Sequence, residues 1–198
     1  TLVDDDLVSL SNLPRQVIYQ KNQVNQAKVK VAAEWVRLQN PEVNVHAENV
    51  RFSDLNAESL MKHVDLVLDC SDNFSTRLSI NQNCIKYKRP WVFAAVTDFE
   101  FQVSFFDAKD SEAPCLSCLF PTMDAAQDRQ CDTQGVLGST PAVAGAVQAN
   151  EALKYLLGLP GVLKGHLLVD NLITYQSKVI KYRTNTQCSH HLIGNRDD

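Results

Sequence analysis

Residues 64–73 read VDLVLDCSDN, a compact apolar run that ends in three polar residues. Such a run is typical of a strand buried on both faces of a parallel sheet. The chain around it alternates between two patterns. Helical patterns cover 25–41 and 73–90, and strand patterns cover 43–50 and 91–96. This alternation predicts an α/β fold with a Rossmann-like, doubly wound sheet whose first part is parallel.

The second half of the chain departs from this alternation. The segment FEFQVSFF, residues 99–106, alternates apolar and polar residues directly after another strand pattern, which predicts a switch to antiparallel pairing. Residues 107–140 form a long crossover loop, and such loops usually carry function. A helix is expected over 139–158, followed by two antiparallel strands at the C-terminal end. We found no repeat or linker, so we predict a single domain over 1–198.

The composition excludes several classes of partner. The formal net charge is −4, the hydrophobic fraction is 44%, and Lys and Arg occur in no run longer than a pair. This argues against binding to nucleic acid or to an anionic membrane. No stretch approaches the roughly 20 apolar residues of a membrane span, and the first residues lack a signal-peptide pattern. We therefore expect a cytoplasmic protein.

The first residues, TLVDDDLVSLSNLPRQ, resemble the end of a buried strand that emerges into a polar crevice. In dinucleotide-binding folds an acid at the end of the second strand binds ribose hydroxyls, and a glycine-rich turn after the first strand approaches the phosphates. Asp4 and Asp6 occupy the acidic position, yet the first glycine is Gly135 and no G-x-G-x-x-G exists. We expect the first strand, its glycine turn and its helix to precede Thr1.

Five motifs in order resemble the ThiF/MoeB/HesA family of ubiquitin-activating-enzyme-like adenylyltransferases. They are LVDDDLVSLSNLPRQ, NQAKV, DLVLDCSDN, CLSCLFP and QCDTQGVLG. The resemblance implies ATP-dependent adenylation of the C-terminal glycine carboxylate of a ubiquitin-like sulfur carrier of the ThiS or MoaD type, in thiamin or molybdopterin biosynthesis. Two alternatives stay open: a non-catalytic module that binds the carrier, and adenylation of another acceptor, a peptide or tRNA.

The resemblance also implies roles for individual residues. Asp4 would bind the ribose of ATP, Asn12 and Arg15 would contact the phosphates, Lys28 would neutralise phosphate charge, and Asp72 would hold magnesium. Taken singly, Arg15, Lys28 and Asp72 are more simply explained as solvated surface charges. Within the matched pattern they fit a reaction between two anions, which needs fixed positive charge and a metal ion.

Two residues next to this set have open roles. Asn73 and Arg77 lie one helical turn apart. They either brace Asp72 or face the tail of the carrier, and we favour bracing.

The cysteines suggest a metal site. Cys115 and Cys118 have the spacing of half a structural zinc site, and Cys188 and His191 lie in the other cluster of ligand-type residues. In the family a second C-x-x-C stands there, so His191 takes the place of a cysteine. We predict zinc bound by three cysteines and one histidine, with His190 as a competing ligand. The alternative is that Cys115 and Cys118 are reduced bystanders.

The remaining cysteines divide into two kinds. Cys131 lies in the polar stretch RQCDTQG, where exposure and a neighbouring arginine favour a thiolate. It is either a nucleophile or sulfur-transfer residue, as in some relatives, or an inert loop thiol. Cys70 and Cys84 are expected to be small core residues. The resemblance further implies a homodimer, in which an arginine from a segment before Thr1 would reach across the interface.

Overall fold

The structure, a computed structural model, describes residues 1–122 and 136–192. The chain divides into two compact units, residues 1–56 and residues 57–198. The single domain over 1–198 stays a prediction. Among the helices of the described ranges, none combines the length and the apolar character that crossing a bilayer requires.

The first unit pairs two short parallel strands with one helix. Strand β1 (Leu2–Val3) lies beside β2 (Ala47–Glu48), and helix α1 (Lys28–Gln39) connects them in the chain. The segment between β1 and α1 contains two 3-10 turns, Leu10–Asn12 and Lys21–Gln23. The predicted parallel strand at 43–50 is therefore present but shorter than its pattern.

The second unit contains a five-stranded mixed sheet in the order β3-β4-β5-β6-β7. Strand β3 is parallel to β4, and all later neighbours are antiparallel. The fold prediction is confirmed, including the switch to antiparallel pairing after residue 97. The five strands, in chain order, are Val67–Asp69, Trp91–Thr97, Glu100–Phe106, His166–Asn171 and Gln176–Lys181.

In the described part of the second unit, five helices accompany this sheet. The longest, α5, begins at Ser139 as predicted, with Pro141 in its first turn, and the chain leaves it through Gly158 at φ +66°. That positive φ is a conformation that glycine adopts at little cost. In chain order the helices are α2 (Ala57–Met61), α3 (Phe74–Lys86), α4 (Leu116–Leu119), α5 (Ser139–Leu156) and α6 (Ser189–Leu192).

The core of the second unit packs on both faces of β4 and β5. On one face, Val92, Val103 and Phe105 pack with Ala144 and Ala152 of α5. On the other face, four aromatic rings contact one another, those of Trp91, Phe93, Phe106 and Phe120. The prediction that β3 is buried on both faces is wrong for one of them. Leu68, on that face, is 43% exposed, and β3 is an edge strand of the five-stranded sheet.

Candidate functional site

Lys28 is held beside the acidic stretch Asp4–Asp6 by local backbone pairing. Residues 7 and 27 form an antiparallel bridge, and the amide of Lys28 donates to the carbonyl of Asp6 at 2.9 Å. The Lys28 ammonium then donates to Asp6 Oδ2 at 2.7 Å. The side chain of Lys28 is only 9% exposed, whereas that of Asp6 is 66% exposed. A buried cation is therefore paired with an exposed carboxylate at the acidic stretch.

The carboxylate of Asp4 is fixed in a tight turn. Its Oδ1 accepts the backbone N–H of Asp6 at 2.7 Å. Burial raises the pKa of Asp4, although the Asp6 hydrogen bond and the charge of Lys28 act against that rise. Burial, with the charges of Asp4 and Asp6, also raises the pKa of Tyr19 to about 12. The hydroxyl of Tyr19 donates to the carbonyl of Lys28 at 3.3 Å, so Tyr19 supports the same group of residues.

Asn12 and Arg15 lie around the first 3-10 turn. Asn12 Oδ1 accepts the hydroxyl of Ser9 at 2.7 Å, and Arg15 Nη1 donates to the carbonyl of Ser11 at 3.2 Å. Both residues are half-buried. The first unit thus presents the predicted amide, guanidinium and ammonium groups on a segment of fewer than 20 residues that precedes or opens α1.

Asp72 lies in the second unit, just beyond the carboxyl end of β3. Its side chain is exposed, and Oδ1 accepts Nδ2 of Asn73 at 3.3 Å. Asn73 also caps α3, because its Oδ1 accepts the amide of Thr76 at 2.9 Å. An exposed carboxylate at the end of a parallel strand suits magnesium, which takes oxygen ligands and keeps several waters.

Arg77 does not contact the carboxylate of Asp72. It is 5% exposed, donates through Nη2 to the carbonyl of Ser71 at 2.6 Å, and its Nε lies 4.0 Å from Asp69 Oδ2. Its guanidinium lies over the rings of Phe74 and Phe93. The side-chain hydrogen bond of Arg77 therefore goes to the backbone before Asp72 and not to the Asp72 side chain, and the bracing role stays a prediction.

Sequence reasoning missed two residues near this strand end. Asp69 is fully buried, and burial raises its pKa although the neighbouring Arg77 charge lowers it. Gln148 of α5 donates through Nε2 to the carbonyls of Asp69 and Val92 at 2.8 and 3.0 Å. The sequence did contain a signal for each residue. Asp69 is an acid inside an apolar strand pattern, and Gln148 is a polar residue inside a helix of small apolar residues.

The four predicted metal ligands meet in the second unit. One ligand atom from each of Cys115, Cys118, Cys188 and His191 lies within 4.8 Å of all the others. The Sγ of Cys115 is 3.8 Å from that of Cys118 and 3.6 Å from that of Cys188. Sulfur ligands about 2.3 Å from a tetrahedral zinc are about 3.8 Å apart. The sulfur positions therefore match the dimensions of a zinc site.

The histidine of this cluster is His191. Its Nδ1 lies 3.2 Å from the carbonyl of Ser111, and among the described residues no hydrogen-bond partner reaches its buried Nε2. A histidine that ligates a metal through one ring nitrogen usually donates the other to a carbonyl or carboxylate. In the described chain His190 is not part of the cluster.

Two thiols of the cluster, those of Cys115 and Cys188, have raised pKa values. Burial and the neighbouring Cys118 raise the pKa of Cys115 to about 12, and burial also raises the pKa of Cys188. A bound cation reverses this, since a coordinated thiol is deprotonated. The cluster therefore has the donors, spacing and burial of a structural metal site.

The other cysteines give a mixed result. Cys84 is buried in the core as predicted. The core prediction is wrong for Cys70, which is exposed where the chain leaves β3. Its thiol donates to Oε1 of Gln148 at 3.5 Å. Cys131 lies outside the described residues, so its role stays a prediction.

Comparison with known proteins establishes the family. The model of the ThiF family matches residues 1–190. The chain belongs to the ThiF family. It is 34% identical over 98% of its length to the "Probable molybdopterin-synthase adenylyltransferase" of Gracilaria tenuistipitata var. liui, and 38% identical over 94% to the "Sulfur carrier protein adenylyltransferase" of Thermus thermophilus. It spans 55% and 70% of those two relatives.

A solved structure supports the fold of this ThiF family member. E. coli MccB with ATP superimposes with a TM-score of 0.80 at 16% sequence identity. The match covers 96% of this chain and 57% of MccB. At this identity the likeness shows a shared fold, and it agrees with the Rossmann-like prediction.

Proposed function

We propose that the protein is an adenylyltransferase that uses ATP to activate the C-terminal glycine carboxylate of a ubiquitin-like sulfur carrier of the ThiS or MoaD type. The observation that carries this proposal is the 38% identity, over 94% of the chain, to a sulfur carrier protein adenylyltransferase. The activated carrier would serve thiamin or molybdopterin biosynthesis in the cytoplasm.

The reaction joins two anions. A carrier carboxylate attacks the α-phosphorus of ATP, an acyl adenylate forms, and pyrophosphate leaves with the electron pair of the broken bond. Such a reaction depends on positioning and on fixed positive charge more than on a general base. Asp4 and Asp6 would bind the ribose edge, Asn12 and Arg15 would hold phosphate oxygens, and the buried ammonium of Lys28 would neutralise phosphate charge.

Magnesium fits the carboxylate of Asp72. Among the described residues no ion pair engages this carboxylate, which is exposed at the end of a strand and free to take a hydrated cation. Bound there, magnesium would supply charge neutralisation to the triphosphate. Asp72 would hold that cation next to the phosphates.

Zinc fits the cluster of three cysteines and His191. We propose that it is structural, because four protein ligands leave no open position for a substrate. It would join α4 to α6, two short elements that are 73 residues apart in the chain at Cys115 and Cys188. Metal analysis of the purified protein tests this, with about one equivalent of zinc expected per chain.

The decisive experiment is ATP–pyrophosphate exchange by the protein in its full natural length, with candidate carriers added one at a time. Exchange that depends on one carrier with an intact C-terminal glycine would establish adenylation and name the partner. A carrier that lacks its last glycine is the matched control. Binding of a carrier without exchange would favour the non-catalytic module. Exchange that depends on a peptide or a tRNA, and on no carrier, would show that this molecule is the acceptor instead.

Two further proposals accompany this function. Cys131 would act as a nucleophile or sulfur-transfer residue, and unchanged sulfur transfer to the carrier after Cys131→Ser would refute that role. The full-length protein would be a homodimer. Sedimentation at micromolar concentration tests the second proposal, and a stable monomer would contradict it.

A further inference from the structure

Ser71, the residue before Asp72, has each of its polar groups tied to a buried charged side chain. Its backbone N–H donates to Asp69 Oδ1 at 2.9 Å, and its hydroxyl donates to the same oxygen at 2.6 Å. Its carbonyl accepts from Arg77 Nη2 at 2.6 Å. The peptide that leads into Asp72 is therefore fixed from both sides, by the last residue of β3 and by the first turns of α3.

The two charged residues are costly to bury, which argues for a role beyond stability. Asp69 is 0% exposed and Arg77 is 5% exposed. Their closest atoms, Asp69 Oδ2 and Arg77 Nε, are 4.0 Å apart, and neither has a hydrogen-bond partner among the described residues. A buried ion pair with such long geometry contributes little net stability. The short side-chain hydrogen bonds of Asp69 and Arg77 are instead made with Ser71.

Neighbouring contacts keep both charged groups in place. The guanidinium of Arg77 lies 5.6 Å from the ring centre of Phe74 and 5.1 Å from that of Phe93. The carbonyl of Asp69 accepts a hydrogen bond from Gln148 at 2.8 Å. Asn73 fixes the other side of Asp72 by capping α3. Asp72 thus projects into solvent from a backbone that is anchored before and after it.

We propose that Asp69 and Arg77 are positioning residues that hold the Ser71 backbone so that the Asp72 carboxylate is aimed at the magnesium of a bound nucleotide. This inference rests on the proposed function. Preorganisation of this kind is worth most for a metal held through a single protein carboxylate, because no second ligand corrects a misplaced first one. Groups that orient a ligand typically change metal affinity by about 10-fold to 100-fold.

The test measures metal binding without catalysis. Mn²⁺ replaces magnesium, and its dissociation constant is measured by electron paramagnetic resonance in the full-length protein with a non-hydrolysable ATP analogue. We expect Asp72→Asn to raise this dissociation constant more than any of the other variants, while the phosphates of the analogue keep a weaker hold on Mn²⁺. Asp69→Asn and Arg77→Lys should raise the dissociation constant of Mn²⁺ by about 10-fold or more. Ser71→Ala removes one of the three bonds and should raise it by less.

The matched control is Arg89→Lys. Arg89 also donates through Nη2 to a backbone carbonyl, that of Lys62, at 2.8 Å. It precedes β4 and therefore lies at the amino end of the parallel pair, away from Asp72. We expect Arg89→Lys to leave Mn²⁺ binding unchanged, whatever it does to thermal stability. This separates positioning from a general loss of packing.

The outcomes decide the inference independently of the activity. Folded Asp69→Asn and Arg77→Lys variants that bind Mn²⁺ like the wild type would overturn it, and so would wild-type binding that survives Asp72→Asn. If the Asp69→Asn and Arg77→Lys variants both fail to fold, the dissociation constant of Mn²⁺ in Ser71→Ala decides. A value equal to that of the wild type would then overturn the inference. The expected Mn²⁺ pattern without any ATP–pyrophosphate exchange would refute the proposed function and leave this inference standing.

Discussion

The cysteine–histidine cluster and the acidic stretch Asp4–Asp6 both bring ligand atoms within 4.8 Å of one another, yet they differ in burial and in the compensation of charge. The three thiols are buried, and among the described residues His191 Nε2 has no hydrogen-bond partner. The carboxylates of Asp5 and Asp6 face solvent, and Asp6 already pairs with Lys28.

This difference shows that proximity alone does not indicate a resident metal. The acidic stretch is open to solvent at Asp5 and Asp6, and Lys28 already compensates the charge of Asp6. Buried thiols that lose their protons, together with the lone pair of an unpartnered imidazole nitrogen, form a donor set that suits a bound cation. The first arrangement suits a binding edge, and the second suits a permanent structural site.

The largest effect is expected from Cys188→Ser. Loss of this ligand should remove zinc and lower the melting temperature by about 10 °C or more, since losing a metal costs several kcal/mol and a chain of this size loses about 2–4 °C per kcal/mol. Metal analysis and calorimetry measure both quantities. Cys70→Ser, outside the cluster, is the control and should keep its zinc. Full zinc content in Cys188→Ser would contradict the site.

The next largest effect is expected from Lys28→Gln, which should slow ATP–pyrophosphate exchange. Removing a fixed positive charge that faces developing negative charge typically costs about 100-fold in rate. The free energy of unfolding should change by less than about 1 kcal/mol, because Asp6 is 66% exposed and keeps its hydration. The exposed neighbour Lys30→Gln is the matched control for ATP–pyrophosphate exchange. Equal rates for the two variants would rule out the assigned role of Lys28.

A smaller effect should separate the adjacent histidines. His191→Ala should weaken zinc binding by at least about 10-fold, and His190→Ala should leave it unchanged. His191→Cys should retain zinc, because a fourth thiolate is an equally suitable ligand. Competition with a chromogenic chelator gives the affinities. If His190→Ala had the larger effect, the ligand assignment would be reversed.

The smallest effect concerns Tyr19 at the acidic edge. Its pKa in the folded protein, about 12, exceeds the ordinary value of 10.0. The protonated form therefore favours the native state, and this contribution is complete below pH 10 and is lost as the pH rises towards 12. The difference in tyrosinate absorbance between the wild type and Tyr19→Phe should titrate near the higher value. A midpoint at the ordinary value would show that burial does not perturb this phenol.

Much of the fold followed from local pattern. The apolar run at 64–70 and the alternation at 99–106 predicted strands with the correct change from parallel to antiparallel pairing, because side-chain periodicity is a property of neighbouring residues. The sequence did not predict that β3 is an edge strand with one exposed face. Which segments pair with a strand and which cover its faces depends on residues far away in the chain. Leu68 lies on the exposed face.

The sequence by itself determined the order of elements, the family, and the chemical types of the candidate ligands. These depend on residue identity and short spacing. Only the tertiary structure brought Gln148 to the carbonyl of Asp69, a contact that spans 79 residues. It also turned Arg77 towards Ser71 rather than Asp72. Contacts between residues far apart in the chain depend on how strands and helices pack against one another. That packing depends on side chains from the whole chain, so no short motif predicts it.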